Sequence, residues 1–225
     1  MITYPCGCVN EVHGLSGIVR SVVKCDFHQR YARDPATLDE AYYTELAHLD
    51  GSGELVNSTH LAELAEALGP FPYADGRCQS LEIGCGVSPY VEAIRQADWD
   101  YTGLDVSAWV ASWICDHWKV KTIVANWEMW DSTDRFGLIL CAHALEHMMD
   151  APAALDKMVA ALEPSGELWI VVPDDSDPVN PYHLWFFNER TLRAAIEATG
   201  LTILRLVVRS IVPREQFLFV RARKP

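Results

Sequence analysis

The residues with the clearest chemical meaning in this sequence are two acids that flank a glycine turn. Glu82 comes just before the turn Gly84-Cys85-Gly86, and Asp105 ends a second apolar run nineteen residues after Gly86. Glycine leaves the main chain without side chains, so a ligand can lie directly against it. A carboxylate at the end of the next strand can accept hydrogen bonds from ribose hydroxyls. The pattern predicts a nucleoside site, and a glycine turn without a ligand is the alternative.

The residues around the turn favour one class of nucleoside. A dinucleotide site has a third glycine where this chain has Pro89, and Glu82 would repel a pyrophosphate but suits a cationic amine. Glu-x-Gly-x-Gly followed by a strand-end Asp resembles the motifs of class I S-adenosylmethionine (SAM)-dependent methyltransferases. The resemblance implies that Asp105, with Val106 beside it, takes the ribose hydroxyls. It also implies that the amino acid end of SAM is held by Glu82, Gly84, Cys85 and Gly86.

Three further residues are predicted to surround the cofactor, because ligands bind at the carboxyl ends of parallel strands. Asn126 follows the third predicted strand, and the resemblance implies that it reads the adenine amine. Trp127 is predicted either to offer a stacking face or to pack in the core. Cys141 ends the fourth strand and is expected to line the space beside the sulfonium.

Three histidines are the candidate catalytic residues. The fourth strand continues through His143 to Leu-Glu-His147, which resembles a segment of many small-molecule methyltransferases. A neutral imidazole can accept a proton from a hydroxyl or an amine, so His143 is predicted as a general base, with His183 and His147 as further candidates. Some family members with Glu-x-x-Glu-His bind a divalent metal here. Because His143 replaces the first Glu, we expect this segment to have a structural or hydrogen-bonding role.

A separate cluster near the N-terminus predicts a structural metal. Cys6-x-Cys8 and Cys25-x-x-His28 are two ligand pairs that a hairpin-like segment between them can bring together. Three thiolates and one imidazole match a closed Zn²⁺ site, and the metal would supply folding energy that so small a segment lacks. Three unrelated thiols with a surface histidine are the alternative.

The elements that must position these residues alternate along the chain. We predict a zinc-ribbon-like module over 1–34, a helical lid or linker over 35–74 and the main domain over 75–225. Strands are predicted near 79–83, 101–105, 120–124, 136–141 and 167–172, and helices near 88–97, 107–118, 150–162 and 189–199. Two strands follow, and the short link between them cannot hold a crossover helix, so they must be antiparallel.

The resemblance and this alternation imply an α/β fold. Its core is a doubly wound, mostly parallel seven-stranded sheet that ends in an antiparallel hairpin, as in class I methyltransferases. The first helix of the domain is predicted to have Ser88 as its N-cap and Pro89 at its first position.

The charge of the chain limits its partners. The net charge is −13 over 225 residues, and the acidic excess lies after residue 35. An acidic body disfavours nucleic acid and phospholipid surfaces, although the near-neutral N-terminal segment leaves RNA contact open. No apolar run approaches the roughly 20 residues that span a bilayer, and we recognise no secretion signal. We therefore expect a soluble cytoplasmic protein.

These features together predict a SAM-dependent methyltransferase that acts on an oxygen or nitrogen of a small-molecule or glycan-like acceptor. Two alternatives stay open. A zinc ribbon before a class I domain also resembles the bacterial ribosomal RNA guanine methyltransferases, which implies methylation of an RNA base. A subunit with this fold could also stabilise a partner without catalysing a reaction. The sequence does not determine the acceptor or the oligomeric state.

Overall fold

The computed structural model describes residues 13–15, 18–20, 54–74, 76, 79–174, 183, 185–212 and 215–225. The predicted zinc ligands Cys6, Cys8, Cys25 and His28 lie outside these residues. Within the described residues, none of the helices has the length and apolar character needed to cross a membrane.

The described elements follow the predicted alternation of strands and helices. Before the main domain come β1 (His13–Leu15), β2 (Ile18–Arg20) and α1 (Glu54–Leu68). The main domain consists of β3 (Gln79–Ile83), α2 (Val91–Gln96), β4 (Asp100–Asp105), α3 (Ala108–Trp118), β5 (Lys121–Val124), β6 (Phe136–Ala142), a 3₁₀ turn (Leu145–His147), α4 (Ala151–Ala161), β7 (Leu162–Pro173), β8 (Trp185–Phe186), α5 (Glu189–Ala198), β9 (Thr202–Val212) and β10 (Glu215–Arg223).

Seven of these strands form one sheet in the order β5-β4-β3-β6-β7-β10-β9. The first five are parallel to their neighbours, whereas β10 is antiparallel to both β7 and β9. The predicted mostly parallel seven-stranded sheet with its terminal antiparallel hairpin is confirmed. The chain goes from β3 outward to β4 and β5 and then returns to β6 on the other side of β3. Such a reversal leaves a crevice beyond the carboxyl ends of β3 and β6, where ligands of α/β sheets bind.

Both faces of the sheet are covered, which explains why its central strand is apolar throughout. All seven residues of β6 are buried. Ile139 packs in one hydrophobic cluster with Met158 of α4, and Leu140 packs in the other with Ile94 of α2 and Ile114 of α3. A strand that is buried on both sides has a continuous hydrophobic sequence instead of an alternating one.

The start of α2 differs from the prediction. The helix begins at Val91, and its N-cap residue is Tyr90, which makes no capping bond with its side chain. Ser88, the predicted N-cap, donates its hydroxyl to Oε2 of Glu82 at 2.6 Å, and its Oγ accepts from the N–H of Tyr90 at 3.1 Å. The helix begins three residues after Ser88, so the N–H that the Ser88 hydroxyl accepts belongs to the residue before the helix.

A second, smaller sheet lies beside the main one. β2 pairs antiparallel with both β1 and β8, with Val19 opposite Phe186. The N-terminal strands are therefore joined through β8 to the segment that leads into α5.

Candidate active site

Two segments meet at the crevice between β3 and β6. The glycine turn follows β3, and the segment His143–His147 follows β6. Gly84 has a φ of +67°, and a Cβ atom at this position would lie 2.6 Å from the Cβ of Ala144. Only glycine combines a left-handed backbone with so close a contact, so the two segments form one site.

Asp105 ties the glycine turn to the end of β4. Its Oδ2 accepts a hydrogen bond from the N–H of Gly86 at 2.9 Å, and its Oδ1 accepts one from the N–H of Ser107 at 2.9 Å. Burial raises the pKa of Asp105, and the backbone hydrogen bonds from Ser107, Gly86 and Val106 partly offset the rise. Each carboxylate oxygen has two lone pairs, so a second donor can still be accepted at each. The arrangement is therefore compatible with a bound ribose.

Glu82 is buried in β3, just before the turn, and its carboxylate bonds to the hydroxyls of two other side chains. Its Oε2 accepts hydrogen bonds from the hydroxyls of Ser88 and Tyr101, each at 2.6 Å. Burial raises the pKa of Glu82 to about 8, the two hydroxyl donors lower it, and nearby Asp105 raises it. Glu82 is 2% exposed. In this structure its carboxylate binds the chain itself, which is a different role from the predicted contact with a cationic amine.

The other predicted cofactor residues lie at different depths. Asn126 is half-buried, and its Oδ1 accepts from the N–H of Glu128 at 2.8 Å. Trp127 is buried, and its indole N–H donates to the carbonyl of Ala154 in α4 at 3.2 Å. Of the two roles predicted for Trp127, the structure favours packing in the core.

Two cysteines of the predicted cofactor site are buried. Cys141 is fully buried in the same hydrophobic cluster as Ile83 and Leu104, so its side chain does not line an open space. Cys85, in the turn itself, is also buried. Burial raises the pKa of both thiols, so both stay neutral at physiological pH. The burial of Cys141 in the core disfavours the expectation that its side chain lines the space beside the sulfonium.

The three candidate histidines converge with Glu146. The ligand atoms of Glu146, His147 and His183 all lie within 4.8 Å of one another. The His147 and His183 rings are 5.0 Å apart between centroids, and Nδ1 of His143 lies 3.9 Å from Oε1 of Glu146. These four residues are called the histidine–glutamate cluster below.

His143 is at the mouth of this cluster. Its backbone has a φ of +54°, an uncommon value for a residue with a side chain, and its N–H donates to the carbonyl of Val171 at 2.8 Å. The side chain is 34% exposed, and its ring makes a T-shaped contact with the ring of Phe217, with the centroids 5.0 Å apart. The His143 side chain is therefore much more exposed than that of its neighbour Glu146.

Glu146 is the most unusual residue of the cluster. Its side chain is 1% exposed, and no other residue in the described part of the chain donates a hydrogen bond to either carboxylate oxygen. Burial raises the pKa of Glu146 to about 8. Buried carboxylates normally have donors or a cation beside them, so this one indicates a missing partner.

His183 is buried and uncharged. Burial lowers its pKa to about 3, and His147 and His143 add to this effect. An imidazole with so low a pKa does not hold a proton at neutral pH, which makes His183 a poor general base. Its neutral nitrogen is suited instead to accepting a hydrogen bond or binding a metal.

Contacts made by Trp185 and Phe187 hold the segment after His183 against the 3₁₀ turn and the end of β7. The indole N–H of Trp185 donates to the carbonyl of Met148 at 2.7 Å, and Asp174 forms a parallel bridge with Phe187. These contacts place Trp185 and Phe187 next to the segment that follows β6 and the end of β7.

Sequence reasoning missed the grouping of Glu146 with His183. The two residues were assigned to separate roles because 36 positions lie between them. Both residues follow parallel strands whose carboxyl ends lie at the same edge of the sheet, and this placement could have predicted that they meet. Ser88 and Tyr101 were missed as well, and no sequence motif indicates hydroxyl donors to a buried acid.

Comparisons with known proteins agree with this geometry. A family model described as a methyltransferase domain matches residues 56–206. Comparison with the curated proteins finds no match.

Three similar solved structures carry related names, and each supports the fold. The Burkholderia thailandensis 1,6-didemethyltoxoflavin-N1-methyltransferase, with 1,6-didemethyltoxoflavin and S-adenosylhomocysteine bound, has a TM-score of 0.67 and 19% identity, covering 92% of this chain and 94% of that one. The N-methyltransferase NodS from Bradyrhizobium japonicum WM9, in complex with S-adenosylhomocysteine, has a TM-score of 0.61 and 24% identity, covering 89% and 100%. The glycopeptide N-methyltransferase MtfA, complexed with SAM, has a TM-score of 0.59 and 12% identity, covering 75% and 94%.

Proposed function

The chain belongs to the methyltransferase domain family, and we propose that it transfers a methyl group from SAM to an oxygen or nitrogen of a small-molecule or glycan-like acceptor. One observation carries the proposal. The bare turn at Gly84 comes so close to Ala144 that the turn and the histidine–glutamate cluster share one crevice. A cofactor held on the turn would therefore be next to side chains that can remove a proton.

The residues around the turn fit SAM. The left-handed backbone of Gly84 and Gly86 leaves the main chain open to a ligand, and Asp105 keeps lone pairs for hydroxyl donors. When bound, SAM supplies an activated methyl group on a sulfonium. The role of the chain is then to hold and orient its partners, because alignment accounts for much of the rate of such a transfer.

His143 is the best candidate for the general base. It is half-exposed at the mouth of the cluster, whereas His183 is buried and does not hold a proton at neutral pH. A neutral imidazole at His143 would accept the proton of a hydroxyl or amine as that group is methylated. His147 is the second candidate.

Two facts support a small acceptor. Net charge of −13 disfavours RNA, whose phosphates require a basic surface. The similar structures include enzymes named for 1,6-didemethyltoxoflavin and for a glycopeptide, which are small-molecule and glycan-bearing compounds. The zinc site at Cys6, Cys8, Cys25 and His28 remains a proposal, and elemental analysis of the purified full chain tests it.

Calorimetry with S-adenosylhomocysteine tests the proposed cofactor. We expect binding by the parent chain and at least a tenfold weaker affinity for Asp105→Asn, which loses an anionic acceptor at the ribose. Asp100→Asn is the matched control, because Asp100 begins the same strand but is exposed. A parent chain that binds neither SAM nor S-adenosylhomocysteine would contradict the proposal and favour a non-catalytic subunit.

Transfer of labelled methyl groups from SAM to a panel of hydroxyl- and amine-bearing compounds tests the base. His143→Asn keeps a residue that tolerates a positive φ and removes the imidazole. We expect a fall in turnover of about 10² or more with unchanged affinity for S-adenosylhomocysteine. Full turnover by this variant would exclude His143 as the base.

A further inference from the structure

Three side chains from two separate segments present donor atoms to one small volume. Glu146 and His147 belong to the 3₁₀ turn after β6, and His183 comes shortly before β8. Their ligand atoms all lie within 4.8 Å of one another. Atoms that share an ion at about 2.1 Å are separated by roughly 3 to 4.2 Å, so small side-chain movements would bring these three into one coordination shell.

The carboxylate of Glu146 needs a partner that the described chain does not supply. No other described residue donates a hydrogen bond to either of its oxygens. Among the described residues, its one ion-pair neighbour within 4.0 Å is the imidazole of His143, at 3.9 Å. Side chains elsewhere in the sheet show the usual solution, since Glu167 is paired with both Arg221 and Arg223.

We propose that Glu146, His147 and His183 bind a divalent transition-metal ion. A bound cation satisfies the buried carboxylate, and imidazole nitrogens such as those of the two histidines are common metal ligands. Because His143 stands where the pattern of metal-binding family members has a first Glu, the sequence favoured a structural or hydrogen-bonding role for this segment. His183, which comes from a distant segment, completes the set of three.

The donor set selects the class of metal. Two imidazoles and one carboxylate suit Mn²⁺, Fe²⁺, Co²⁺ or Zn²⁺, whereas Mg²⁺ and Ca²⁺ prefer oxygen ligands alone. Three protein ligands leave coordination positions open, as in catalytic metal sites.

Mn²⁺ is the most informative probe, because thiolates bind it poorly and the predicted N-terminal cysteine site would not compete. The full-length chain is freed of metal with a chelator and titrated with Mn²⁺ by calorimetry and electron paramagnetic resonance, without SAM. We expect about one bound Mn²⁺ per chain and much weaker binding of Mg²⁺. Since the readout is metal binding alone, its failure is distinct from failure of the proposed methyl transfer.

Variants locate the ion. Glu146→Gln and His147→Gln each remove one ligand, and we expect a loss of Mn²⁺ affinity of at least tenfold for each. His117→Gln is the matched control, since His117 is an exposed histidine of α3. We expect it to bind Mn²⁺ like the parent chain.

Thermal unfolding keeps the test valid if one variant folds poorly. Mn²⁺ should raise the melting temperature of the parent chain and of His117→Gln, because a ligand that binds the folded state stabilises it. Mn²⁺ should leave the melting temperature of the folded His147→Gln variant nearly unchanged. The proposal is overturned if the parent chain does not bind Mn²⁺ or if both ligand variants bind it with parental affinity.

Discussion

Two buried glutamates near the same edge of the sheet have opposite surroundings. Burial raises the pKa of both Glu82 and Glu146 to about 8. Glu82 accepts hydrogen bonds from two hydroxyls, whereas no other residue in the described ranges donates one to Glu146. The chain itself satisfies the first carboxylate during folding, but the second needs a group from outside.

The difference separates two functions within one crevice. The glycine turn is held from below by Glu82 and from the side by Asp105, so its shape is set before any ligand binds. The histidine–glutamate cluster is near the turn, but no other described residue donates a hydrogen bond to the carboxylate of Glu146. The glycine turn, whose shape is already fixed, suits a cofactor that is the same in every reaction. The histidine–glutamate cluster, in which the described part of the chain supplies Glu146 with no donor from another residue, suits a metal or an acceptor.

The largest expected loss of stability comes from the point where the glycine turn touches the segment after β6. Gly84→Ala would put a Cβ 2.6 Å from that of Ala144 and strain a φ of +67°. We expect the free energy of unfolding to fall by about 3 kcal/mol, measured with urea, from the strain and the overpacking together. Gly200→Ala is the control, with a φ of +83° but no atom within 4 Å, and should lose only about 1 kcal/mol.

Removing the opposing methyl group separates these two causes. Ala144→Gly in the Gly84→Ala background should recover part of the loss by relieving the collision. If this second change recovers nothing, the contact between the turn and the segment after β6 does not limit the packing.

The next effect tests the satisfied carboxylate. Tyr101→Phe removes one of the two hydroxyls that bond to Glu82, and we expect a loss of about 2 kcal/mol in the free energy of unfolding. Tyr73→Phe is the matched control, because the Tyr73 side chain is exposed and should change little. Equal losses for the two variants would show that the bond to Glu82 contributes nothing special.

The pH dependence of stability tests the same group by titration. Folding raises the pKa of Glu82 to about 8, so its contribution is fully present below its unfolded pKa near 4.5 and is lost as pH rises through 8. Stability of the parent chain should therefore fall between about pH 4.5 and pH 8, with a slope of up to about 1.4 kcal/mol per pH unit from this group. In Glu82→Gln the slope should be shallower, whereas the exposed Glu92→Gln should behave like the parent. Parallel urea curves for all three chains would refute the assignment.

The smallest effect is expected at the unsatisfied carboxylate. Without added metal, Glu146→Gln removes a buried acid that lacks a donor, so the free energy of unfolding should change by less than about 1 kcal/mol or rise. Urea unfolding in the presence of a chelator measures this. A loss as large as that of Tyr101→Phe would mean that Glu146 already has a strong partner, and the comparison between the two glutamates would fail.

Much of the fold could be predicted because it depends on local patterns. The glycine turn, the alternation of strands and helices and the short link before β10 each lie within a few neighbouring residues. The edge of the sheet where ligands bind follows from the parallel order alone. The prediction of a methyltransferase domain is confirmed by the match over residues 56–206.

The side-chain roles were harder to predict, because β6 is buried on both faces. Cys141 lies one residue before the end of that strand and is buried in the core, and a continuous apolar sequence does not reveal which side a residue faces. Trp127 likewise packs against α4, where its indole N–H finds a carbonyl acceptor. Ser88 was expected to cap a helix, but the helix begins only at Val91, and the Ser88 hydroxyl donates to the buried Glu82.

By itself, the sequence determined the class of fold, the edge of the sheet and the residue types available there. Only the tertiary structure decided which of these residues meet. Glu82 and Glu146 have the same chemistry, but one lies opposite two hydroxyls and the other lies opposite two imidazoles. The reason is that a buried charge is stabilised by partners brought from distant strands and loops, and these partners are set by packing instead of by neighbours in the chain.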